Sequence, residues 1–261
     1  MTRLMIAGVL AFVAAAPAPL SFPASAGELK YVGSSTVGKF ISDATAAYKS
    51  STFKVDTEPE SGGGESCPIR GTCDIGGVAR EVGSDFISQG VQATLIGKDA
   101  IGVVVNADNP VKALSAAQLR DIFTGKVTNW SQVGGPDLKI KPLIVKQGSA
   151  TRSTFQAAIL GGAEYAGAEV VTPDAKIIGE TARDKGAIGQ ISFSFLQGAS
   201  GIKALDVDGQ KAAVTNPAYP ITRPLYLTTK GAPAGDAKAF IDWVVSSAGQ
   251  EIVKKSFVVA K

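Results

Sequence analysis

The chain has no histidine among its 261 residues and only two cysteines, Cys67 and Cys73. Without an imidazole, neither a Ser-His-Asp triad nor a histidine-ligated zinc site can be built. Two thiols without a histidine make a poor metal site. In an oxidising compartment they read as a local disulfide, a staple rather than a redox centre. Neither sign of charge dominates: 26 basic side chains face 23 acidic ones, for a formal net charge of +3. The excess is spread along the chain without a run of lysine or arginine, so nothing calls for a nucleic acid or an anionic membrane as partner.

Long apolar runs are confined to the N-terminus. Arg3 precedes the apolar stretch Leu4 to Ala16, which Pro17, Pro19 and Pro23 then interrupt. That stretch is shorter than the roughly 20 residues a spanning helix needs. Small residues lead to Ala24-Ser25-Ala26, the pattern of a signal-peptidase site. Residues 1–26 are therefore expected to be a signal peptide cleaved after Ala26. No cysteine stands at the processing site to carry a lipid, so a soluble, periplasmic and monomeric protein is expected.

What remains alternates short apolar runs with helical spacing, the mark of an α/β fold with mostly parallel strands. Strands are expected at Leu29–Val32, Phe53–Thr57, Asp74–Ala79, Ile101–Asn106, Ile140–Val145, Ala187–Phe195 and Leu225–Thr229. Val37, Phe40, Ile41, Ala44 and Tyr48 recur at helical spacing, as do Phe155, Ala158 and Ile159. Helices are also expected over Leu114–Phe123 and Ala237–Val245.

Three places share one design, in which a strand ends, a turn of Gly, Ser and Thr follows, and a helix begins. They are Gly33-Ser34-Ser35-Thr36, Ser61-Gly62-Gly63-Gly64 and Gly148-Ser149-Ala150-Thr151-Arg152. The first N–H groups of a helix lack internal partners, and the macrodipole places partial positive charge there. Hydroxyls add donors, so such a junction suits an anion. Any one of them is ordinary capping; three in one chain can converge on a single ligand. Arg152 either adds a planar donor fork for an oxyanion or lies on a solvated helix face.

These segments resemble the phosphate-binding proteins of bacterial ABC importers, the PstS-like group of periplasmic binding proteins. The resemblance runs through nearly the whole mature chain. Besides the three turns it rests on Cys73-Asp74-Ile75-Gly76-Gly77-Val78-Ala79-Arg80, Ile122-Phe123-Thr124-Gly125-Lys126-Val127-Thr128-Asn129-Trp130 and Gly186-Ala187-Ile188-Gly189. It implies a two-lobed, type II α/β fold with mixed, mostly parallel sheets and two crossovers between lobes. One lobe would span residues 27–105 and resume over 222–261, and the other would span 106–221. It further implies that phosphate, or a related tetrahedral oxyanion, binds in the cleft for delivery to an ABC permease, with no cofactor, no metal and no catalytic residue. The implied ligand set is Ser35, Thr36, Val37, Ser61, Gly62, Arg80, Ser149, Ala150, Thr151 and Arg152.

Three departures stand out. Well-known members place an aspartate near the end of the third strand to accept the ligand's proton, and here the nearest position is Arg80, which adds positive charge instead. Ala150 stands where glycine is frequent. The Cys67–Cys73 pair flanks a loop beside the second turn and would stiffen two binding loops. Glu60 and Glu65 flank the glycines and are expected on solvated faces, with the acceptor role as the alternative. Asp137 and Asp174 are expected in loops without a partner, and Phe123, Trp130 and Trp243 as packed aromatics. Two other functions compete: an oxyanion sensor using the same cleft, and a phosphoesterase with Ser149 or Thr151 as nucleophile. The latter lacks a base beside either hydroxyl.

Overall fold

The computed structural model describes residues 27–260, so the expected signal segment lies outside the described residues. The first lobe opens with β1 (Gly27–Gly33), α1 (Ser35–Thr45), β2 (Ser51–Asp56), α2 (Glu60–Arg70), β3 (Ile75–Val78) and the short α3 (Ser84–Ser88). The long β4 (Val91–Asn106) carries the chain into the second lobe. That lobe holds β5 (Ala113–Leu114), α4 (Ala116–Phe123), β6 (Lys141–Val145), α5 (Ala150–Phe155), β7 (Glu169–Val171), α6 (Lys176–Arg183), β8 (Ala187–Ser192) and β9 (Ile202–Val207). β10 (Thr222–Lys230) returns, and α7 (Gly235–Val245), α8 (Ser247–Val253) and β11 (Val258–Val259) complete the first lobe.

One sheet path runs β2-β1-β3-β10-β4-β8-β6-β7 through both lobes. β1 is parallel to β2 and β3, and β6 is parallel to β7 and β8. β4 and β10, the strands that pass between lobes, are antiparallel to each other. The changeover lies within β4: Ala100 still pairs with Thr222 of β10, whereas Ile101 pairs with Ser192 of β8. β4 thus changes its pairing partner between Ala100 and Ile101. The β-branched run Ile101–Asn106 belongs to the second sheet, where both faces are covered.

Strand periodicity shows how that sheet is buried. Ile101, Val103 and Val105 point into a core with Leu119, Phe123, Trp130 and Phe155, while Val104 packs with Leu143 and Ile177 on the other face. The first lobe has its own core around Tyr31, Phe40, Ile41, Ile75, Ile96 and Phe240. Phe123 and Trp130 are fully buried, with the Trp130 indole N–H donating to the Gly186 carbonyl. Trp243 stacks on Phe240 at the edge of the first core.

Local chemistry moves some boundaries from their expected places. Leu114 ends β5 rather than starting a helix, because Ser115 caps α4 in a reciprocal box with Gln118. β8 stops at Ser192, whose hydroxyl accepts from the Ser194 N–H and turns the chain. β4 begins well before Ile101, since Gln92, Thr94 and Lys98 dilute the apolar signal of its first half.

Candidate functional site

At the first junction Ser34 caps α1, its hydroxyl accepting from the Val37 N–H at 3.4 Å. The expected Val37 donor is thus engaged locally. Ser35 and Thr36 occupy the first turn, where N–H groups have no partner within the helix. The Ser35 hydroxyl is buried without a hydrogen-bond partner.

The second junction is not a turn. Ser61-Gly62-Gly63-Gly64 lies inside α2, which starts at Glu60. The glycines serve close approach: a Cβ on Gly64 would run into the Gly77 backbone of β3, and one on Gly76 would run into the Gly64 carbonyl. α2 can therefore press its first turn against β3. Ser61 accepts from the Ala79 N–H at 3.1 Å, which leaves its own proton available. α2 ends at left-handed Gly71, and the Cys67–Cys73 disulfide ties its last turn to the approach of β3.

At the third junction Ser149 caps α5 by accepting from the Thr151 N–H at 3.2 Å. Ala150 is buried and packs into the core of the first lobe across the cleft. Arg152, next in the chain to Thr151, makes its side-chain contacts with β6 and Tyr165. Its guanidinium donates to the Val145 carbonyl and lies 5.0 Å from the centre of the Tyr165 ring.

The charge at the centre of the site comes instead from Arg223, at the start of β10, which is 3 % exposed. Its Nη2 donates to Thr36 Oγ1 at 2.9 Å and its Nη1 to Thr151 Oγ1 at 3.0 Å, so one guanidinium joins a helix start from each lobe. Nε and Nη2 also donate to Asp99 of β4. Burial pushes the Asp99 carboxyl up, and the Arg223 charge together with hydrogen bonds from Ser192 and the Ala100 backbone pulls it back. Thr36 accepts from Arg223 and keeps its proton for a further acceptor, as Ser61 and Ser149 do. The sequence hinted at Arg223 only through a lone charge in an apolar strand.

Arg80 spans the cleft rather than offering a free positive charge. Its Nη2 meets Glu65 at 2.6 Å, and its Nη1 reaches the Gly148 carbonyl and the Ser153 hydroxyl at 3.4 Å. Beside it the Gly62 N–H donates to Gly148 at 3.3 Å, and the Lys146 ammonium donates to the Glu58 carbonyl at 2.5 Å. The lobes are in contact along this line.

Glu60 and Glu65, expected on solvated faces, and Asp174, expected in a loop without a partner, are all buried here. Glu65 holds Arg80, Glu60 is 2 % exposed and Asp174 is 0 % exposed. Asp174 accepts the Thr151 hydroxyl proton at 2.9 Å. Asp137, by contrast, stays in an exposed loop, accepting from the Asn129 amide at 2.8 Å. Among the described residues no group of three or more His, Cys, Asp or Glu is placed to hold a metal ion, and no helix is long and apolar enough to cross a membrane.

Two lobes joined by two strands, with helix starts facing each other around one buried guanidinium, define a cleft-binding protein built for a small anion. Proteins of similar sequence and fold belong to that class. The PBP superfamily domain matches residues 21–248. The phosphate-binding protein PstS of Bacillus subtilis is 33 % identical over 251 residues, covering 90 % of this chain and 79 % of that protein. The chain belongs to the PBP superfamily and, within it, to the PstS family of phosphate-binding proteins. Among solved structures, a phosphate ABC transporter substrate-binding protein from Clostridium perfringens, with phosphate bound, superposes with a TM-score of 0.83 at 27 % identity. It covers 90 % of this chain and 100 % of that one. An ABC-type phosphate transport receptor from Vibrio cholerae shares the fold with a TM-score of 0.71 at 23 % identity, over 89 % and 100 % of the two chains.

Proposed function

We propose that this chain captures phosphate, or a closely related tetrahedral oxyanion, between its lobes and presents it to an ABC-importer permease outside the cytoplasm. The observation that carries this reading is the Arg223 guanidinium, buried and held between Thr36 of one lobe and Thr151 of the other. Its neighbours supply what a tetrahedral anion needs: hydroxyl donors from Thr36, Ser61 and Ser149, and helix starts at α1 and α5 aimed into the same space. Ser35 and Gly62 stand beside these donors in the first turns of α1 and α2. A ligand bound by both lobes favours the closed form, which is the form a permease can distinguish.

Reversible capture asks for no nucleophile; contrary to the expectation that no base stands beside either hydroxyl, Asp174 accepts a hydrogen bond from Thr151, while Arg223 is paired with Asp99. The reading is binding without turnover. Secretion through cleavage after Ala26, a periplasmic location and a monomeric state complete the reading. Isothermal titration with phosphate, arsenate, sulfate and molybdate tests it. Phosphate is expected to bind in a one-to-one complex, and failure of all four anions to bind would remove the reading.

A further inference from the structure

Glu60 and Asp174 meet across the cleft, one at the start of α2 in the first lobe and the other just before α6 in the second. Both are nearly or fully buried, and their carboxyls lie within hydrogen-bonding reach of each other. Asp174 Oδ2 is occupied by the Thr151 hydroxyl, while Oδ1 is buried and has no other hydrogen-bond donor. Glu60 is held at φ 56, a left-handed conformation rare for a residue with a side chain. The surrounding fold thus overrides a local backbone preference at this residue.

We propose that Glu60 and Asp174 share one proton across the closed cleft, so that closure of the lobes on an oxyanion takes up a proton from solvent. The inference rests on the oxyanion-binding reading above and adds a role for two acids that this reading leaves unused. Two carboxylates cannot both stay ionised in contact and out of water. The cations facing the pair, Lys146 and Arg223, relieve it only in part. Arg223 of β10 is already matched by Asp99, and Lys146 after β6 is engaged by Glu58. Tyr31 of β1 is held neutral, its phenol pushed up by burial and by Glu60. Four carboxyls (Glu60, Asp174, Asp99 and Glu58) therefore stand against two cations before any anion arrives, and an entering anion sharpens the need for a proton.

Burial, followed by the charge of Asp174, pushes the Glu60 carboxyl up to about 9. In the open protein, with water around it, Glu60 returns toward the ordinary carboxylate range. Between those limits the closed form binds one proton more than the open form. Closure is therefore favoured at low pH and progressively loses that advantage as pH rises toward about 9.

Calorimetric titration with phosphate at neutral pH, in buffers of different ionisation enthalpy, reads the proton directly. The wild type is expected to take up about one proton more per phosphate than Glu60→Gln, whose amide can still donate to Asp174. The ratio of wild-type to variant affinity should also fall by up to about tenfold per pH unit across the window. Asp174→Asn provides a second variant and should lose the same excess. Phosphate binding with equal proton uptake in wild type and both variants overturns the shared proton while leaving oxyanion binding intact. Failure of wild type to bind phosphate, arsenate, sulfate or molybdate overturns both.

Discussion

Arg223 and Asp99 stand in register across β10 and β4, and the guanidinium directs Nε (3.0 Å) and Nη2 (2.9 Å) to the same Asp99 Oδ2. Their side chains are 1 % and 0 % exposed. The pair sits where both strands pass between lobes, so the residue that would hold the anion is anchored to the hinge itself. A guanidinium can face Asp99 and two hydroxyls at once because its donors form a rigid fork, which an ammonium lacks.

The first prediction follows from that fork. Arg223→Ala strands Asp99 as a buried charge and should lower unfolding stability by about 3–5 kcal/mol, measured by denaturant titration. Arg223→Lys keeps the charge and should fold, yet lose at least about tenfold in phosphate affinity by calorimetry. Unchanged affinity in Arg223→Lys would place the anion elsewhere.

Arg80 makes a different kind of contact. Glu65 beneath it is 4 % exposed while Arg80 itself is 26 % exposed, so solvent screens part of the pair. Arg80→Ala should cost about 1–3 kcal/mol of stability, chiefly by leaving Glu65 without its partner. Adding Glu65→Gln to that variant should recover part of the loss, which thermal unfolding of the single and double variants would show. Equal stability of the two would mean that Glu65 is not the burdened group.

How far these residues could be foreseen depends on whether their role is local. Ser34, Ser149 and their helices were legible because capping is written in adjacent residues, and Phe123 and Trp130 were expected to be packed because large aromatics favour the interior. Arg223 and Asp99 were not, since what joins them is sheet register between strands over a hundred residues apart in the chain. Glu60 and Asp174 each follow a proline, and Glu60 looked like a solvated residue and Asp174 like a loop residue; their burial where the two lobes meet is not written in their neighbours. The Gly62-Gly63-Gly64 run misled for a related reason, because glycine required by close packing and glycine required by a turn are the same letter.

That packing gives a third prediction. Gly64→Ala pushes a methyl into the Gly77 backbone, which belongs to a paired strand and cannot swing aside. α2 must lift away from β3, moving Ser61 off the Ala79 N–H. A loss of roughly 1–3 kcal/mol in stability is expected, together with weaker phosphate binding. A variant as stable as wild type would show that the helix can shift freely.

The disulfide acts at the other end of the same helix. Replacing Cys67 and Cys73 with alanine should cost about 2 kcal/mol, the size expected for a short closed loop. If the bond also steadies Ser61 and the Ala79–Arg80 segment, the variant should bind phosphate more weakly. Equal affinity of reduced and oxidised protein would restrict its role to stability.

Arg152 supplies the sharpest contrast between spacing and structure. Its place after Thr151 in a glycine-serine turn suggested a charge-assisted bond to the ligand, and such a bond would cost roughly 1.5–3 kcal/mol of affinity when removed. The fold instead sets its guanidinium on the Val145 carbonyl and against the Tyr165 ring, whose hydroxyl returns a hydrogen bond to the Arg152 carbonyl. Arg152 thereby clasps α5 to the end of β6 and to the chain before β7. Arg152→Ala should change phosphate affinity by less than about threefold, while lowering stability by about 0.5–1 kcal/mol through the lost cation–π contact. Parallel calorimetry and thermal unfolding separate the two outcomes. A tenfold or greater affinity loss at unchanged stability would return Arg152 to the ligand, and it would mean that the guanidinium leaves Tyr165 when the anion binds.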